Sequence, residues 1–155
     1  MDSTYTKDMP LAAPGLAIHG ASSPVPKISN TVAYRIANAI YPAVTAADLP
    51  ALTTAYNLAN SQQIILTVCL SAAGVYTYVA SSILSATAAL LKDVNGNVIR
   101  SVGSLAPATH TFGTCLIGWI IISADSSHTF TGGTTNLDAA GITVTYIDNF
   151  GLTGK

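Results

Sequence analysis

Glutamate is missing from this chain altogether, and charge of either sign is scarce. Its 155 residues carry six Lys and Arg and seven acids, all Asp, for a net charge of −1. Charged residues make up 8 % of the chain, against roughly 25 % in an average soluble domain. These shortages exclude several classes at once. A nucleic-acid binder needs a basic surface, and six scattered cations do not supply one. A bundle of amphipathic helices needs Glu, Lys and Arg on its wet faces. Disorder needs high charge and low hydrophobicity, whereas half of this chain is hydrophobic.

Long apolar runs are lacking too. A membrane-spanning helix needs about 20 mostly apolar residues in succession. The uncharged stretch from Ser101 to Ala124 is interrupted by Pro107, Thr109, His110, Thr111, Gly113 and Thr114. The uncharged stretch from Leu49 to Leu91 is broken by Ser61, Gln62, Gln63 and Gly74. Met1 to Pro10 contains Asp2, Lys7 and Asp8 and no apolar core, so it does not read as a signal peptide. The expectation is a chain made and kept in a cytoplasm until it assembles, with neither membrane nor nucleic acid as partner. Cysteine occurs twice, at Cys69 and Cys115, each within a strand-like run. In that compartment both read as separate buried thiols.

What is present is β structure. Thr31–Ile36 alternates, with Val32, Tyr34 and Ile36 on one face. Ile64–Leu70 is apolar throughout and reads as a strand covered on both faces. After a turn at Gly74, Tyr76 and Tyr78 face one way and Val75, Thr77 and Val79 the other. Asn95-Gly96 between Ala88–Val94 and Asn97–Arg100 signals a hairpin, because a type I′ turn needs positive φ at both central residues. Thr114–Ser123 reads as a buried strand holding the only Trp, and Ile142–Ile147 alternates cleanly. Thr45–Ala59 stands apart: Thr45 and Asp48 resemble an N-cap pair, and Leu49, Leu52, Tyr56 and Ala59 follow helical spacing. The predicted fold is mainly β. It is an antiparallel β-sandwich or jelly-roll-like domain of roughly seven or eight strands, with one short helix.

Residues 1–27 read as an extended N-terminal arm and residues 28–155 as the β-sandwich domain. Pro10, Pro14, Pro24 and Pro26 leave the arm no room for a helix. Its aliphatics, Leu11, Leu16, Ile18 and Val25, are too dispersed for a core of their own. They are the candidate partner-binding residues of an arm that orders on docking. The shortage of charge and a mean hydropathy of +0.48 point to a homo-oligomer, expected to be a trimer, since such a surface leaves more apolar area bare than a monomer tolerates.

The inventory for catalysis is thin. His19, His110 and His128 are the three candidate general bases. No Gly-x-Ser-x-Gly elbow accompanies them. The seven Asp are isolated in sequence, which disfavours a paired-carboxylate glycosidase. His110 and Cys115 are the nearest zinc-like pair, and a buried strand position for Cys115 argues against it. Thr131–Thr135 lacks the Lys and helix of a phosphate loop and reads as a turn between Phe130 and Leu137. No catalytic residue, metal or cofactor is assigned.

Several segments together resemble a known group. They are Ile117-Gly118-Trp119-Ile120, then Phe130–Leu137 as Phe-x-x-Gly-Thr-Thr-x-Leu with one extra Gly, and the ending Thr145-Tyr146-Ile147-Asp148. Upstream, Val32–Asn38 resembles the first strand and turn of the same group, and Lys92–Val98 its hairpin. The group is the small virion structural proteins of tailed bacteriophages, including capsid decoration or cement proteins. The resemblance covers most of Ile28 to Asp148 and none of the arm. It departs at Asn38, where Gly is expected, although Asn also tolerates positive φ. The resemblance implies a protein on the outer surface of a phage head, made in the host cytoplasm. There it contacts the major capsid protein and stabilises the coat, usually as an oligomer. One alternative is a head-fibre or tail module that binds a host glycan, with Tyr76, Tyr78 and Trp119 as stacking residues. A second is a small hydrolase using His110 or His128.

Overall fold

The computed structural model describes residues 8–85, 108–109 and 111–150. The Asn95-Gly96 hairpin, the Lys92–Val98 motif and His110 lie outside those residues. Eleven strands are described: β1 (Met9–Pro10), β2 (Leu16–Ile18), β3 (Pro26–Ile28), β4 (Val32–Ile36), β5 (Ala39–Val44), β6 (Ala47–Asp48), β7 (Gln62–Ser71), β8 (Tyr76–Ala80), β9 (Leu84–Ser85), β10 (Thr114–Ala124) and β11 (Ile142–Asp148). All pairings are antiparallel. One sheet has the order β11-β10-β7-β8, with β9 also on β7. Opposite it lie two three-stranded sheets, β1-β4-β5 and β2-β3-β6. β10 meets β1 and β4, and β11 meets β2, which makes the two layers sandwich-like.

Alternation decides which side chains enter the core. Ile64, Leu66, Val68 and Leu70 of β7 stand beside Ile122, Ile120, Gly118 and Cys115 of β10. They pack against Val32, Tyr34 and Ile36 of β4, the alternating face expected there. Tyr76 and Tyr78 join the same face, opposite Leu70 and Val68. β7 is buried on both sides from Ile64 to Leu70, because Ile65, Thr67 and Cys69 on its outer face are also below 6 % exposed. The Thr67 hydroxyl donates to the Ala108 carbonyl there, at 3.1 Å. Burying both faces removes the polar alternation that marks a half-wet strand, hence the continuous apolar run.

Gly118 sits where β10 is irregular, between Leu116 and Gly118. A Cβ at this position would collide with the Ile147 carbonyl and stand 2.7 Å from Leu16 Cδ1. Only glycine lets β2 and β11 approach this closely. The β4–β5 hairpin turns on Ala37 and Asn38, with φ of 48° and 68°. Both central residues are left-handed, the demand of a type I′ turn, and Asn38 meets it without Gly.

The expected helix is absent. Within Thr45–Ala59 there is a single 3₁₀ turn, Thr54–Tyr56. The backbone is engaged elsewhere: β6 pairs with β3, the Leu49 amide donates to Pro26, and Leu58 exchanges both backbone bonds with Phe130. Leu49, Leu52 and Leu58 are buried from this extended path. Their helical spacing therefore reflects three separate anchor points, and a sheet ladder has taken the amides a helix would need.

The boundary at residue 27 does not mark a structural division. β3 runs through it, β2 pairs with β3, and β1 pairs with β4 in the body. Asp148 of β11 accepts the Gly15 amide at 3.0 Å and the Leu16 amide at 2.9 Å. From Asp8 onward this segment is part of the sandwich.

Candidate interaction surface

The four candidate docking residues have different fates. Leu16 is buried, at 8 % exposure, and Ile18 packs against the same core. Val25 is half-buried in the β2–β3 hairpin, where its amide donates to the Ser23 hydroxyl oxygen. Leu11 alone is exposed, at 41 %. Leu16 is thus a core residue and not a docking residue. The reason is the Asp148 clasp, which draws Gly15 and Leu16 down onto β11.

Two of the exposed large hydrophobic side chains among the described residues, Val75 and Phe112, lie at one end of the sandwich. β7 ends at Ser71, directly opposite Thr114 at the start of β10. The turn that follows β7 carries Ala72, Ala73, Gly74 and Val75. It is closed by the Gly74 amide donating to Ser71, and Gly74 takes the expected left-handed φ of 75°. The turn preceding β10 carries Phe112 and is held by Thr114, whose amide and hydroxyl both donate to the Thr111 carbonyl. β5 completes this end: Pro42, Ala43 and Val44 share a shallow hollow with Ala72, Ala73 and Gly74, floored by Tyr34. Val75 is 55 % exposed and Phe112 fully so. Pro42, Ala43, Ala72 and Ala73 are exposed as well.

This surface rests on a stiff base. Tyr34 stacks on Tyr41 at 5.4 Å, and its hydroxyl donates to the Ser71 carbonyl. Burial pushes the Tyr76 phenol up to about 12, with the neighbouring Tyr34 and Cys115 adding to the effect. Burial also pushes the Cys115 thiol up to about 12. Both cysteines are free and buried. Cys69 lies opposite Leu116, and Cys115 opposite Leu70. Since Leu70 faces the core and Cys69 the outer side, the sheet itself separates the two sulfurs.

The histidines lie elsewhere. His128 Nδ1 meets Asp125 Oδ1 at 2.8 Å, and the same oxygen accepts the Ser127 and His128 amides. The Ser127 amide first, and then the His128 ring, hold the Asp125 carboxyl below its ordinary value. This is the geometry of a turn fastened by an aspartate side chain. His19 Nδ1 pairs with Asp48 across the β2-β3-β6 sheet, beside Lys27. Among the described residues, no three His, Cys or Asp side chains group closely enough to hold a metal ion.

The three aromatics considered for glycan stacking do not form one platform. Tyr76 is buried and Tyr78 donates its hydroxyl to the Pro50 carbonyl, both on the core face. Trp119 is half-buried on the opposite face of the sheet, beside Ile147. Phe112, Val75 and their neighbours were not singled out by sequence reasoning. A signal existed: an aromatic flanked by Thr111 and Gly113, inside an uncharged run, at the mouth of a strand.

Compared with protein-family models, with curated proteins and with solved structures, the chain has no match in any of the three.

Proposed function

We propose that this chain is a non-enzymatic decoration, or cement, protein of a tailed-bacteriophage head. It is made in the host cytoplasm and sits on the outer capsid surface. It binds the major capsid protein as a homotrimer and stabilises the contacts between capsomers. The observation that carries this reading is a mainly β body that, among the described residues, presents exposed Val75 and Phe112 at one uncharged end. A protein whose task is adhesion needs stiffness and bare apolar surface rather than a reaction centre. An exposed aromatic at the centre of a patch is the residue type that most often carries binding energy. The resemblance of Ile117–Ile120, Phe130–Leu137 and Thr145–Asp148 to small phage virion proteins supports the same reading.

The test is to add purified chain to heads lacking decoration. Saturable binding, with a rise in the temperature at which the heads release DNA, is the expected result. Binding that neither saturates nor changes head stability refutes the proposal.

A further inference from the structure

We propose that residues 8–23 form a strap, held to the sandwich chiefly by four aspartate carboxylates and Leu16, that opens as one unit while the two-layer body stays folded.

The placement of charge points to the strap. Five aspartates lie among the described residues: Asp8, Asp48, Asp125, Asp138 and Asp148. Asp125 closes its own turn through the Ser127 and His128 amides. Each of the other four ties residues 8–23 to the rest of the chain. Asp8 accepts the Ala37 amide at 2.7 Å, and Asp48 pairs with the His19 ring. Asp138 accepts the Ser22 amide at 2.8 Å, and Asp148 accepts those of Gly15 and Leu16. In a chain with 8 % charged residues, this is a selective use of carboxylates. Two of these clips grip left-handed residues that are not glycine, Ser22 with φ of 55° and Ala37 with φ of 48°. That conformation is disfavoured for a residue with a Cβ, so losing the clip lets the turn relax.

The other ties are slight. β1 matches β4 over two residues and β2 matches β3 over three, whereas β7 and β10 share nine registered pairs. Among Leu11, Leu16 and Ile18, only Leu16 is buried; Ile18 packs partly against the core and Leu11 is exposed. Pro10 and Pro14 are buried but have no amide to donate. Few buried apolar contacts and exposed hydrogen bonds mark segments that open below the global transition. β3 stays with the body, because Ile28 is 1 % exposed and both Lys27 and Ile28 pair with β6. Opening lifts Leu16 away from Gly118 and frees the Asp148 carboxylate at the end of β11. Neither the strap nor its clips require that the chain decorate a head.

The experiment is native-state hydrogen exchange on the full chain, read residue by residue by nuclear magnetic resonance in low urea. The amides of Leu11, Gly15, Leu16 and Ser22 should share one opening. It should be about tenfold or more as frequent as that of Leu66 and Ile120, which lie on strands paired on both sides. Asp8→Ala and Asp138→Ala remove clips at opposite ends of the strap. Each should speed exchange at Leu16 by about threefold or more, as loss of a charge-assisted bond predicts, although neither aspartate touches Leu16. Asp125→Ala should leave the strap amides unchanged. Strap amides that exchange within about tenfold of Leu66 and Ile120 overturn the proposal, since the segment then opens only with the whole domain. So do variants that each quicken only the amides beside the substitution. The parent chain decides the first point alone, so a variant that fails to fold does not protect the proposal.

Discussion

Removing the Asp148 carboxylate should loosen the N-terminal segment from the sandwich. This carboxylate accepts two amides, Gly15 at 3.0 Å and Leu16 at 2.9 Å, from residues more than 130 positions away in sequence. A hydrogen bond to a charged group contributes about 1.5–3 kcal/mol. Leu16 is 8 % exposed, so its amide would find little water in compensation, while the half-buried Gly15 would recover some. Asp148→Ala should therefore cost about 2–4 kcal/mol, a substantial fraction of the roughly 5–15 kcal/mol that holds a domain folded. Urea unfolding followed by circular dichroism reads the total. Amide hydrogen exchange at Gly15 and Leu16 reads the local loss. Asp138→Ala is the comparison, since among the described residues Asp138 accepts only the exposed Ser22 amide, and it should cost under about 1 kcal/mol. A loss below about 0.5 kcal/mol for Asp148→Ala, the range of an ordinary surface substitution, would refute the reasoning. Unchanged protection of both amides would do so equally.

Gly118→Ala should destabilise by about 1–3 kcal/mol or more, because a backbone carbonyl of β11 occupies the space its methyl needs; a thermal shift of under a degree would contradict the close approach. Ala37→Gly should raise stability by about 1 kcal/mol by relieving the left-handed φ of 48°, read as a higher urea midpoint. Stability should fall from pH 10 to about pH 12, because burial raises the folded-state phenols of Tyr76 and Tyr146 to about 12 from their ordinary value of 10.0. The extra stability is whole below pH 10 and is lost as pH climbs through the folded values, by at most about 1.4 kcal/mol per pH unit per group. A flat profile over that window would contradict the burial. Cys69 and Cys115, both buried and with the Cys115 thiol pushed up to about 12, should resist Ellman's reagent at pH 8 until urea unfolds the chain.

The strands that alternate over five or more residues were legible in the sequence. β4, β7, β8, β10 and β11 all lie where period-two patterning or unbroken apolar runs placed them. β1, β2, β3, β6 and β9 are two or three residues long, too short for any period to appear, and with the six-residue β5, whose exposure does not alternate, they account for the larger strand count. The arm was misread for the same reason. Its prolines do keep it extended, but extended backbone with free amides is also what a sheet edge recruits. Nothing local to Leu16 announces that Asp148 will meet it. Thr45–Ala59 shows the converse error, in which a helical spacing of leucines arose from separate anchors along a loop. The apolar end was legible only in part. Low charge and high hydropathy demanded some bare surface, but its location depends on Ser71 pairing with Thr114 and on Val44 lying against Gly74. Those are facts of register, which composition does not carry.

The central claim, that this chain coats a phage head, is tested most directly by counting it. Quantitative mass spectrometry of purified intact particles gives the ratio of this chain to the major capsid protein. A decoration protein should be present in hundreds of copies per head, in a simple fixed ratio to the coat. A handful of copies per particle, as a fibre or tail module would give, or none, would contradict the account.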